Sequence, residues 1–348
     1  MASSFASDDL RLVPLRDVQA AAVRIADTCV RTPVLGAGAD LPRLWLKADS
    51  LQPTGAFKLR GATNAVAVLE PDVRARGVVT HSSGNHGQAL ACAAARAGIA
   101  CTVVMPEGSV TAKVEATRAW GATVELVPTA ERVSACTALA ERSGATVVPP
   151  FDDPAIIAGQ GTVGLEILEQ LPDVQTVLVP VGGGGLISGV AAAIKGLAPK
   201  VRVIGVEPEL AADAAEGMRT GTLAQWPLER TTVTIADGLR GGSVGVLNWA
   251  HLQAYVESVL TVGEAGIVAA VGEIARRARL VAEPSGAVTT AAYLAHPDRD
   301  SLGRTVAVVS GGNVDPLAYA AMIGGPPSSR EPVALDVTGS APAPGSER

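Results

Sequence analysis

The sequence predicts an α/β protein with two domains, each built on a parallel β-sheet. Short apolar runs of strand length alternate along the chain with alanine-rich stretches of helical periodicity, and this alternation is typical of parallel sheets covered by helices. The length of 348 residues also exceeds that of one typical domain. The runs that predict strands cover residues 78–80, 101–105, 123–127, 176–180, 201–207 and 305–310.

Alanine-rich segments between these runs predict helices that end at glycines. Residues 86–98 and 129–144 are the clearest cases, because each closes on a glycine, which readily adopts the left-handed conformation that ends a helix. A further helix is expected near residues 18–30 and a strand around residues 45–47. The sequence does not decide which sheet that strand joins.

Prolines at positions 149, 150 and 154 mark a passage between the two predicted sheets. We therefore expect a large domain of residues 1–72 and 149–324 and a small α/β domain of residues 73–148. Residues 325–348 are rich in Pro, Ser, Gly and Ala and contain few large apolar side chains, so they are expected to form a disordered tail.

The composition indicates a soluble globular protein and disfavours nucleic acid as a partner. No apolar run approaches the roughly 18 residues that cross a bilayer, and the amino terminus has no basic region before an apolar stretch, so a cytoplasmic location is expected. The net charge is −6, basic residues are dispersed and aromatic residues make up 3% of the chain, which disfavours nucleic acid as a partner. The cysteines are widely spaced in apolar segments, which predicts buried free thiols.

Lys58 is the residue that the sequence marks for covalent chemistry. It lies between Phe57 and Leu59 in the stretch TGAFKLRGATNA. A lysine can hold an aldehyde as an imine only when its amine loses its proton easily, and apolar neighbours favour the neutral amine. Taken alone, a surface lysine at the start of a helix explains the same pattern, so this interpretation depends on the other motifs.

A run of glycines in the stretch VGGGGLISG follows one predicted strand and precedes a predicted helix. It consists of Gly182, Gly183, Gly184 and Gly185. Successive backbone N–H groups without Cβ atoms can converge on a phosphate at such a place. The run lacks the third glycine of a dinucleotide fingerprint and the GK[ST] of a P-loop, so nucleotides are disfavoured. A purely structural turn is the alternative.

The stretch SSGNHG lies at a second junction between a strand and a helix. It consists of Ser82, Ser83, Gly84, Asn85 and His86, followed by Gly87. Hydroxyl and amide groups at a helix amino terminus can either cap the helix or bind a ligand. The stretch SGGN repeats the pattern after another strand, and its Ser310 can donate a hydrogen bond to a ring nitrogen. Helix capping and an ordinary turn are the alternatives for the two stretches.

Two acidic residues suggest a cation site. Glu207 ends a predicted strand and Asp213 follows within two helical turns, with the Ala211 carbonyl between them. Hard divalent cations prefer oxygen ligands of this kind. A solvated, capped helix start accounts for the same residues and is the alternative.

In their order along the chain, these motifs resemble those of the fold type II pyridoxal-phosphate enzymes, in particular the serine/threonine dehydratase and serine racemase group. The resemblance runs from about Leu15 to Tyr319. It implies the two-domain, parallel-sheet architecture of tryptophan synthase β and a homodimer. The motifs that carry it are QPTGAFKLRGA, SSGNHGQALA, IAGQGTVGLEI, VGGGGLISG, IGVEP, TIADGLR, EPSGA and SGGNVD.

The resemblance implies pyridoxal 5′-phosphate as the cofactor and gives roles to the marked residues. Lys58 would bind the cofactor aldehyde, with Phe57 packed close to the cofactor. Asn85 would hydrogen-bond the phenolic oxygen, the four glycines would hold the phosphate, and Ser310 would meet the pyridine nitrogen. Glu207, the Ala211 carbonyl and Asp213 match the divalent-cation site of the family, which would take Mg²⁺, Mn²⁺ or Ca²⁺.

The resemblance also implies a reaction, with residues 82–86 binding the substrate carboxylate. Lys58 would remove the Cα proton of L-threonine and/or L-serine, and loss of the β-hydroxyl would yield a 2-oxo acid and ammonia. Ser83 occupies the position of the opposite-face acid/base in serine racemases, so serine racemisation is an alternative. Dehydration of another β-hydroxy amino acid, such as 3-hydroxyaspartate, is a further one. The stretch TIADG and the cation site argue against β-replacement.

Overall fold

The computed structural model describes residues 11–324, and ten strands in that part of the chain form two sheets. The predicted tail at residues 325–348 lies outside the described residues. The strands are β1 Val34–Gly36, β2 Leu44–Ala48, β3 Val78–His81, β4 Cys101–Pro106, β5 Thr123–Val127, β6 Thr146–Val147, β7 Thr176–Pro180, β8 Arg202–Pro208, β9 Ser258–Val262 and β10 Thr305–Val309.

Helices connect the strands and cover both sheets. The α-helices are α1 Leu15–Ile25, α2 Lys58–Ala67, α3 Pro71–Arg74, α4 Asn85–Ala97, α5 Thr111–Arg118, α6 Arg132–Ser143, α7 Pro154–Gln170, α8 Gly185–Leu197, α9 Asp213–Thr220, α10 Leu228–Thr231, α11 Val246–Tyr255, α12 Glu264–Ala278, α13 Pro284–Ala295, α14 Arg299–Leu302 and α15 Pro316–Ile323. Short 3₁₀ helices cover Asp49–Leu51, Thr129–Glu131, Glu209–Ala211 and Asp237–Leu239.

The larger sheet has six strands in the order β1-β2-β10-β7-β8-β9. All neighbouring strands are parallel except β1, which runs antiparallel to β2. Strand β2 pairs with β10 and places Lys47 opposite Val308. The strand that the sequence left unassigned therefore belongs to the larger sheet.

The smaller sheet has four parallel strands in the order β5-β4-β3-β6. Its helices end as the sequence predicts, because Gly98 after α4 and Gly144 after α6 have φ angles of 67° and 70°. Helix α1 ends at Ile25, earlier than expected, since the Ile25 carbonyl accepts the N–H groups of both Thr28 and Cys29 in a tight turn. The two-sheet α/β architecture is confirmed, whereas the exact domain boundaries stay a prediction.

Strand β7 shows why its sequence is a continuous apolar run. Val177 and Val179 pack into a core on one face of the six-stranded sheet, together with Ile187 of α8. Leu178 points to the other face and joins a core that includes Ile274 of α12. Because helices cover both faces, every residue of the strand is buried.

Two further observations concern the surface and the thiols. No helix among residues 11–324 is long and apolar enough to cross a membrane. Cys92, Cys101 and Cys136 are buried free thiols as predicted, whereas Cys29 is partly exposed.

Candidate active site

The marked residues lie after the carboxyl ends of parallel strands in both sheets. Strand β3 leads through residues 82–84 into α4, β7 leads through the glycine run into α8, and β10 ends one residue before Ser310. Ligand sites of open α/β sheets lie outside the carboxyl ends of the strands. The topology therefore places all three motifs at the carboxyl-end edges of the two sheets, where ligands bind.

Lys58 is the first residue of α2. Its Nζ donates a hydrogen bond to the Pro150 carbonyl at 2.6 Å and lies 5.2 Å from the centroid of the Phe57 ring. The residue is partly exposed, but its amine lies among protein atoms, and this burial lowers the pKa of Lys58 to about 8. Near neutral pH a useful fraction of the amine can therefore lose its proton and react.

A buried ionic network fixes the helix that begins with Lys58. The Arg60 guanidinium is fully buried and pairs with Asp49 at 2.8 Å and with Glu166 of α7 at 2.6 Å. Lys47 of β2 is also buried and pairs with Glu166. Two cations thus meet two carboxylates, and each charge has partners that offset its desolvation. The network ties α2 to β2 and α7.

The glycine run forms a loop of backbone without side chains. Gly184 has a φ angle of 91°, which favours glycine, and α8 begins at Gly185. A Cβ on Gly183 would lie 2.2 Å from carbon atoms of the Phe151 ring. Within residues 11–324, the N–H groups of Gly182, Gly183 and Gly184 meet no backbone acceptor. Free N–H groups ahead of a helix amino terminus are suited to an anion.

Asn85 is held by partners on both sides of its amide. Its Nδ2 donates to Glu283 Oε1 at 2.7 Å, and its Oδ1 accepts from Asn313 Nδ2 at 2.9 Å. Asn313 Nδ2 also donates to the Thr54 carbonyl at 2.8 Å. One N–H of Asn85 remains for a ligand, and this is what a phenolic oxygen needs.

Glu283 is a buried carboxyl group to which the sequence gave no role. Burial, with a smaller effect from the charge of Asp237, raises the pKa of Glu283 to about 8. The group is therefore mainly protonated at neutral pH. Glu283 belongs to the stretch EPSGA, and its partner Asn85 is 198 positions away. The presence of that motif was therefore the only sequence signal that could have pointed to Glu283.

Ser310 lies beside the start of α2. Its carbonyl accepts the Phe57 N–H at 2.9 Å, and Gly311 forms a β-bridge with Ala56. Ser310 is buried. Direct contacts thus bring Ser310, Phe57, Lys58 and, through Asn313, Asn85 into one region.

The turn at residues 82–84 exposes the amino terminus of α4. The Gly84 N–H donates to Ser82 Oγ at 3.3 Å, and a Cβ on Gly84 would have no atom within 4 Å. His86 is buried with Nε2 3.0 Å from the Val148 carbonyl. Burial, with a smaller effect from Lys58, lowers the pKa of His86 to about 3, so the ring is neutral. What His86 offers a ligand at this turn is its backbone N–H.

Glu207 and Asp213 form a buried acidic pair at the end of β8 and the start of α9. Burial, together with the charge of Asp213, raises the pKa of Glu207 well above its usual range. Burial also raises the pKa of Asp213 to about 6, and Asp213 Oδ2 has no hydrogen-bond partner within the described chain. The Glu207 oxygens accept the N–H groups of Ala214 and Ala215 at 3.1 and 2.8 Å, which is a capping role. The unsatisfied Asp213 oxygen nevertheless fits a hard cation, whose charge would favour the ionised form of both carboxyl groups.

The fold and these contacts define the class of the protein. Residues 25–311 match the family model described as "Pyridoxal-phosphate dependent enzyme", and the chain belongs to this family. The site fits the cofactor, because it combines a lysine of lowered pKa with a glycine loop in which one Cβ would meet the Phe151 ring. The chain is 44% identical to the L-threonine ammonia-lyase of Geobacter sulfurreducens over 274 residues, which are 78% of this chain and 67% of that protein.

Two further relatives carry different names. The L-threo-3-hydroxyaspartate ammonia-lyase of Saccharomyces cerevisiae is 37% identical over 89% of this chain and 96% of its own length. The structure of maize serine racemase matches with a TM-score of 0.85 at 36% identity, over 90% of this chain and 98% of that one. The fold is thus shared by lyases and racemases.

Proposed function

We propose that this protein is a pyridoxal-phosphate-dependent ammonia-lyase that converts L-threonine and/or L-serine to the 2-oxo acid and ammonia. The observation that carries the proposal is the Lys58 amine, which has a lowered pKa and is held by a backbone carbonyl beside Phe57. The similarity to an L-threonine ammonia-lyase supports this substrate class.

Lys58 moves the proton at the substrate Cα. When bound, the cofactor supplies an electron sink for the carbanion that forms there. Since burial lowers the pKa of Lys58 to about 8, its amine can take up the Cα proton near neutral pH. The hydrogen bond from Lys58 Nζ to the Pro150 carbonyl orients the amine before it reacts.

Backbone groups at the start of α4 bind the substrate carboxylate. Residues 82–86 present N–H groups at the positive end of this 13-residue helix. The open space around Gly84 leaves room for the substrate. The neutral His86 ring is turned toward Val148 and adds no charge to this end of the helix.

Asn85, Ser310 and the glycine loop orient the cofactor ring and phosphate. Asn313 occupies the Asn85 carbonyl oxygen, so Asn85 can present only an N–H to the phenolic oxygen. Ser310 would hold the pyridine nitrogen through a neutral hydroxyl, which would leave that nitrogen largely unprotonated and so favour loss of the β-hydroxyl.

Product analysis tests the proposal. Purified protein is incubated with L-serine and, separately, with L-threonine, and 2-oxo acid, ammonia and both enantiomers of the remaining substrate are quantified. We expect equal amounts of oxo acid and ammonia, with little inverted substrate. Absence of oxo acid from both substrates contradicts the proposed substrate class.

Serine racemase is the second candidate, because Ser83 lies in the turn where an opposite-face proton donor belongs. The similarity to maize serine racemase also favours it. In that case D-serine accumulates in the same incubation, and replacing Ser83 with Ala removes D-serine while oxo acid formation persists. The similarity to an L-threo-3-hydroxyaspartate ammonia-lyase makes 3-hydroxyaspartate the third substrate to include.

We also propose that Glu207, the Ala211 carbonyl and Asp213 bind Mg²⁺, Mn²⁺ or Ca²⁺. The buried pair of carboxylates and the unsatisfied Asp213 oxygen support this site. We further propose that the protein is a homodimer, as the family resemblance implies, and that it is located in the cytoplasm.

A further inference from the structure

The glycine loop rests on the start of α11, far away in the sequence. The Gly183 carbonyl accepts two hydrogen bonds from that region, one from Asn248 Nδ2 at 2.8 Å and one from the Gly245 N–H at 3.0 Å. Asn248 Nδ2 also donates to the Phe151 carbonyl at 3.3 Å. Because both partners of Nδ2 are carbonyls, which can only accept, the amide orientation of Asn248 is fixed.

This arrangement sets the direction of the Gly184 N–H. In a trans peptide the N–H points opposite to the C=O of the same unit, and no peptide among residues 11–324 is cis. The Gly183 carbonyl is turned toward α11, so the Gly184 N–H is turned away from α11. That N–H meets no backbone acceptor in the described chain and lies next to the first residue of α8.

Packing alone does not account for an asparagine at position 248. The side chain is fully buried, and its Oδ1 has no hydrogen-bond partner within residues 11–324. An apolar side chain of similar size would avoid this desolvation cost. The amide is therefore explained by the hydrogen bonds that its Nδ2 donates to the Gly183 and Phe151 carbonyls.

Phe151 packs against the same loop. A Cβ on Gly183 would lie 2.2 Å from the Phe151 ring, and a Cβ on Gly185 would lie 3.0 Å from the Phe151 carbonyl. The neighbouring Asp152 accepts the N–H groups of Val246 and Leu247, so this segment is itself tied to α11. A tilt of the loop toward Phe151 would produce steric overlap, and a tilt away from Asn248 would lose the hydrogen bond to the Gly183 carbonyl.

We propose that Asn248 is a positioning residue for the cofactor phosphate. It acts through the Gly183 carbonyl, which it holds toward α11 so that the Gly184 N–H faces the phosphate. The inference rests on the proposed phosphate role of Gly182, Gly183, Gly184 and Gly185. Asn248 itself touches neither cofactor nor substrate in this account.

The test compares two aldehydes that differ only in the phosphate. The full-length chain, freed of cofactor, is titrated with pyridoxal 5′-phosphate and with pyridoxal, and binding is followed by the visible absorbance of the imine. The ratio of the two dissociation constants measures the phosphate preference. It is determined for the wild type, Asn248→Ala and Asn248→Leu, the last of which keeps a similar volume and removes the donor without adding a charge near the phosphate.

We expect both Asn248 variants to lower the phosphate preference about fivefold to tenfold, as for the loss of one hydrogen bond, while pyridoxal affinity changes less than about twofold. The matched control is Ser188→Ala. Ser188 Oγ donates to the Asn248 backbone carbonyl at 3.4 Å, so this variant alters the same helix contact without touching the side-chain amide. The control should keep the wild-type ratio.

Gly184→Ala separates failure of this inference from failure of the proposed phosphate loop. Its Cβ would lie 2.8 Å from Asn248 Cβ at a left-handed φ angle, so the loop must distort. If this variant lowers the ratio and the Asn248 variants do not, the role of Asn248 is wrong and the loop stands. If neither changes the ratio, the phosphate loop is wrong as well. Equal losses for both aldehydes would make Asn248 merely structural, which also overturns the inference.

Discussion

Two strand-to-helix turns of this protein look alike in sequence but are built in opposite ways. At residues 82–84 the turn before α4 has open space, since a Cβ on Gly84 would meet no atom within 4 Å. At Gly182–Gly184 the turn before α8 is closely packed, and a Cβ on Gly183 would lie 2.2 Å from the Phe151 ring.

This difference separates two reasons for a glycine at a helix amino terminus. Gly183 is required because the Phe151 ring packs closely against the loop backbone, and such packing suits a phosphate that stays bound. Gly84 is not required by packing, and the open space leaves room for a substrate that enters and leaves. The difference supports the proposal that the closely packed turn holds the cofactor phosphate and the open turn binds the substrate carboxylate.

Removal of Lys58 should have the largest effect, because the proposed reaction depends on its amine both to bind the cofactor and to move the Cα proton. For Lys58→Ala we expect a loss of 2-oxo acid formation of about a thousandfold or more, as for loss of a proton-transfer group. Oxo acid release from L-serine measures it. Lys195→Ala is the control, since Lys195 Nζ also donates to backbone carbonyls, at Pro199 and Val201, but near the end of α8. Comparable loss in both variants would contradict the role of Lys58.

Substitution of the two glycines by alanine tests the comparison directly. Gly183→Ala forces the new methyl against the Phe151 ring and should lower the free energy of unfolding by about 1–3 kcal/mol and weaken cofactor binding. Gly84→Ala should change the free energy of unfolding by less than about 0.5 kcal/mol and act mainly on KM. Urea unfolding and steady-state kinetics measure both effects. Equal destabilisation by the two variants would remove the distinction.

A buried acid near the open turn provides a pH test. The pKa of Glu283 is raised to about 8, so the folded protein keeps a proton that the unfolded chain releases near pH 4.5. This contribution to stability is present below about pH 4.5 and is lost as pH rises through 8. In Glu283→Gln, which cannot ionise, the free energy of unfolding of the cofactor-free protein should fall about 2–4 kcal/mol less between pH 5 and pH 8.

Urea unfolding of both proteins at several pH values measures this difference. Asp237→Asn is a second variant for this comparison, because the charge of Asp237 is a smaller cause of the raised pKa of Glu283 than burial is. It should reduce the pH dependence of the free energy of unfolding by less than Glu283→Gln does. Parallel pH profiles of the wild type and Glu283→Gln would show that Glu283 is ionised when folded.

Replacement of Asp213 in the acidic pair of Glu207 and Asp213 should have the smallest effect, which is a change in how Mg²⁺ affects the melting temperature. If Asp213 binds a cation, Mg²⁺ raises the melting temperature of the wild type by mass action and does not raise that of Asp213→Ala. Differential scanning calorimetry over a Mg²⁺ titration measures this. An unchanged melting temperature and activity in both proteins would remove the cation site and leave Glu207 as a helix cap.

Much of the fold was predictable because its signals are local. The apolar run of β7 and the glycines after α4 and α6 each report the conformation of neighbouring residues, and the structure confirms them. The sequence could mark Lys58, Asn85 and Ser310 for the same reason, since each stands in a compact motif at a strand or helix end, and their roles stay a prediction.

The partners of those residues were not predictable, because they come from distant parts of the chain. Asn248 reaches Gly183 across 65 positions and Glu283 reaches Asn85 across 198. Asn248 lies third in a mainly apolar helix, where an asparagine carries no distinctive pattern. Only the packing of α11 under the glycine loop gives it a role.

Covalent labelling tests the central claim most directly. The protein loaded with pyridoxal 5′-phosphate is reduced with borohydride, digested and analysed by mass spectrometry to locate the pyridoxyl group. We predict that the label lies on Lys58, which follows Phe57 at the start of α2 and whose pKa burial lowers to about 8. A label on Lys47, Lys113, Lys195 or Lys200, with Lys58 unmodified, would contradict the account.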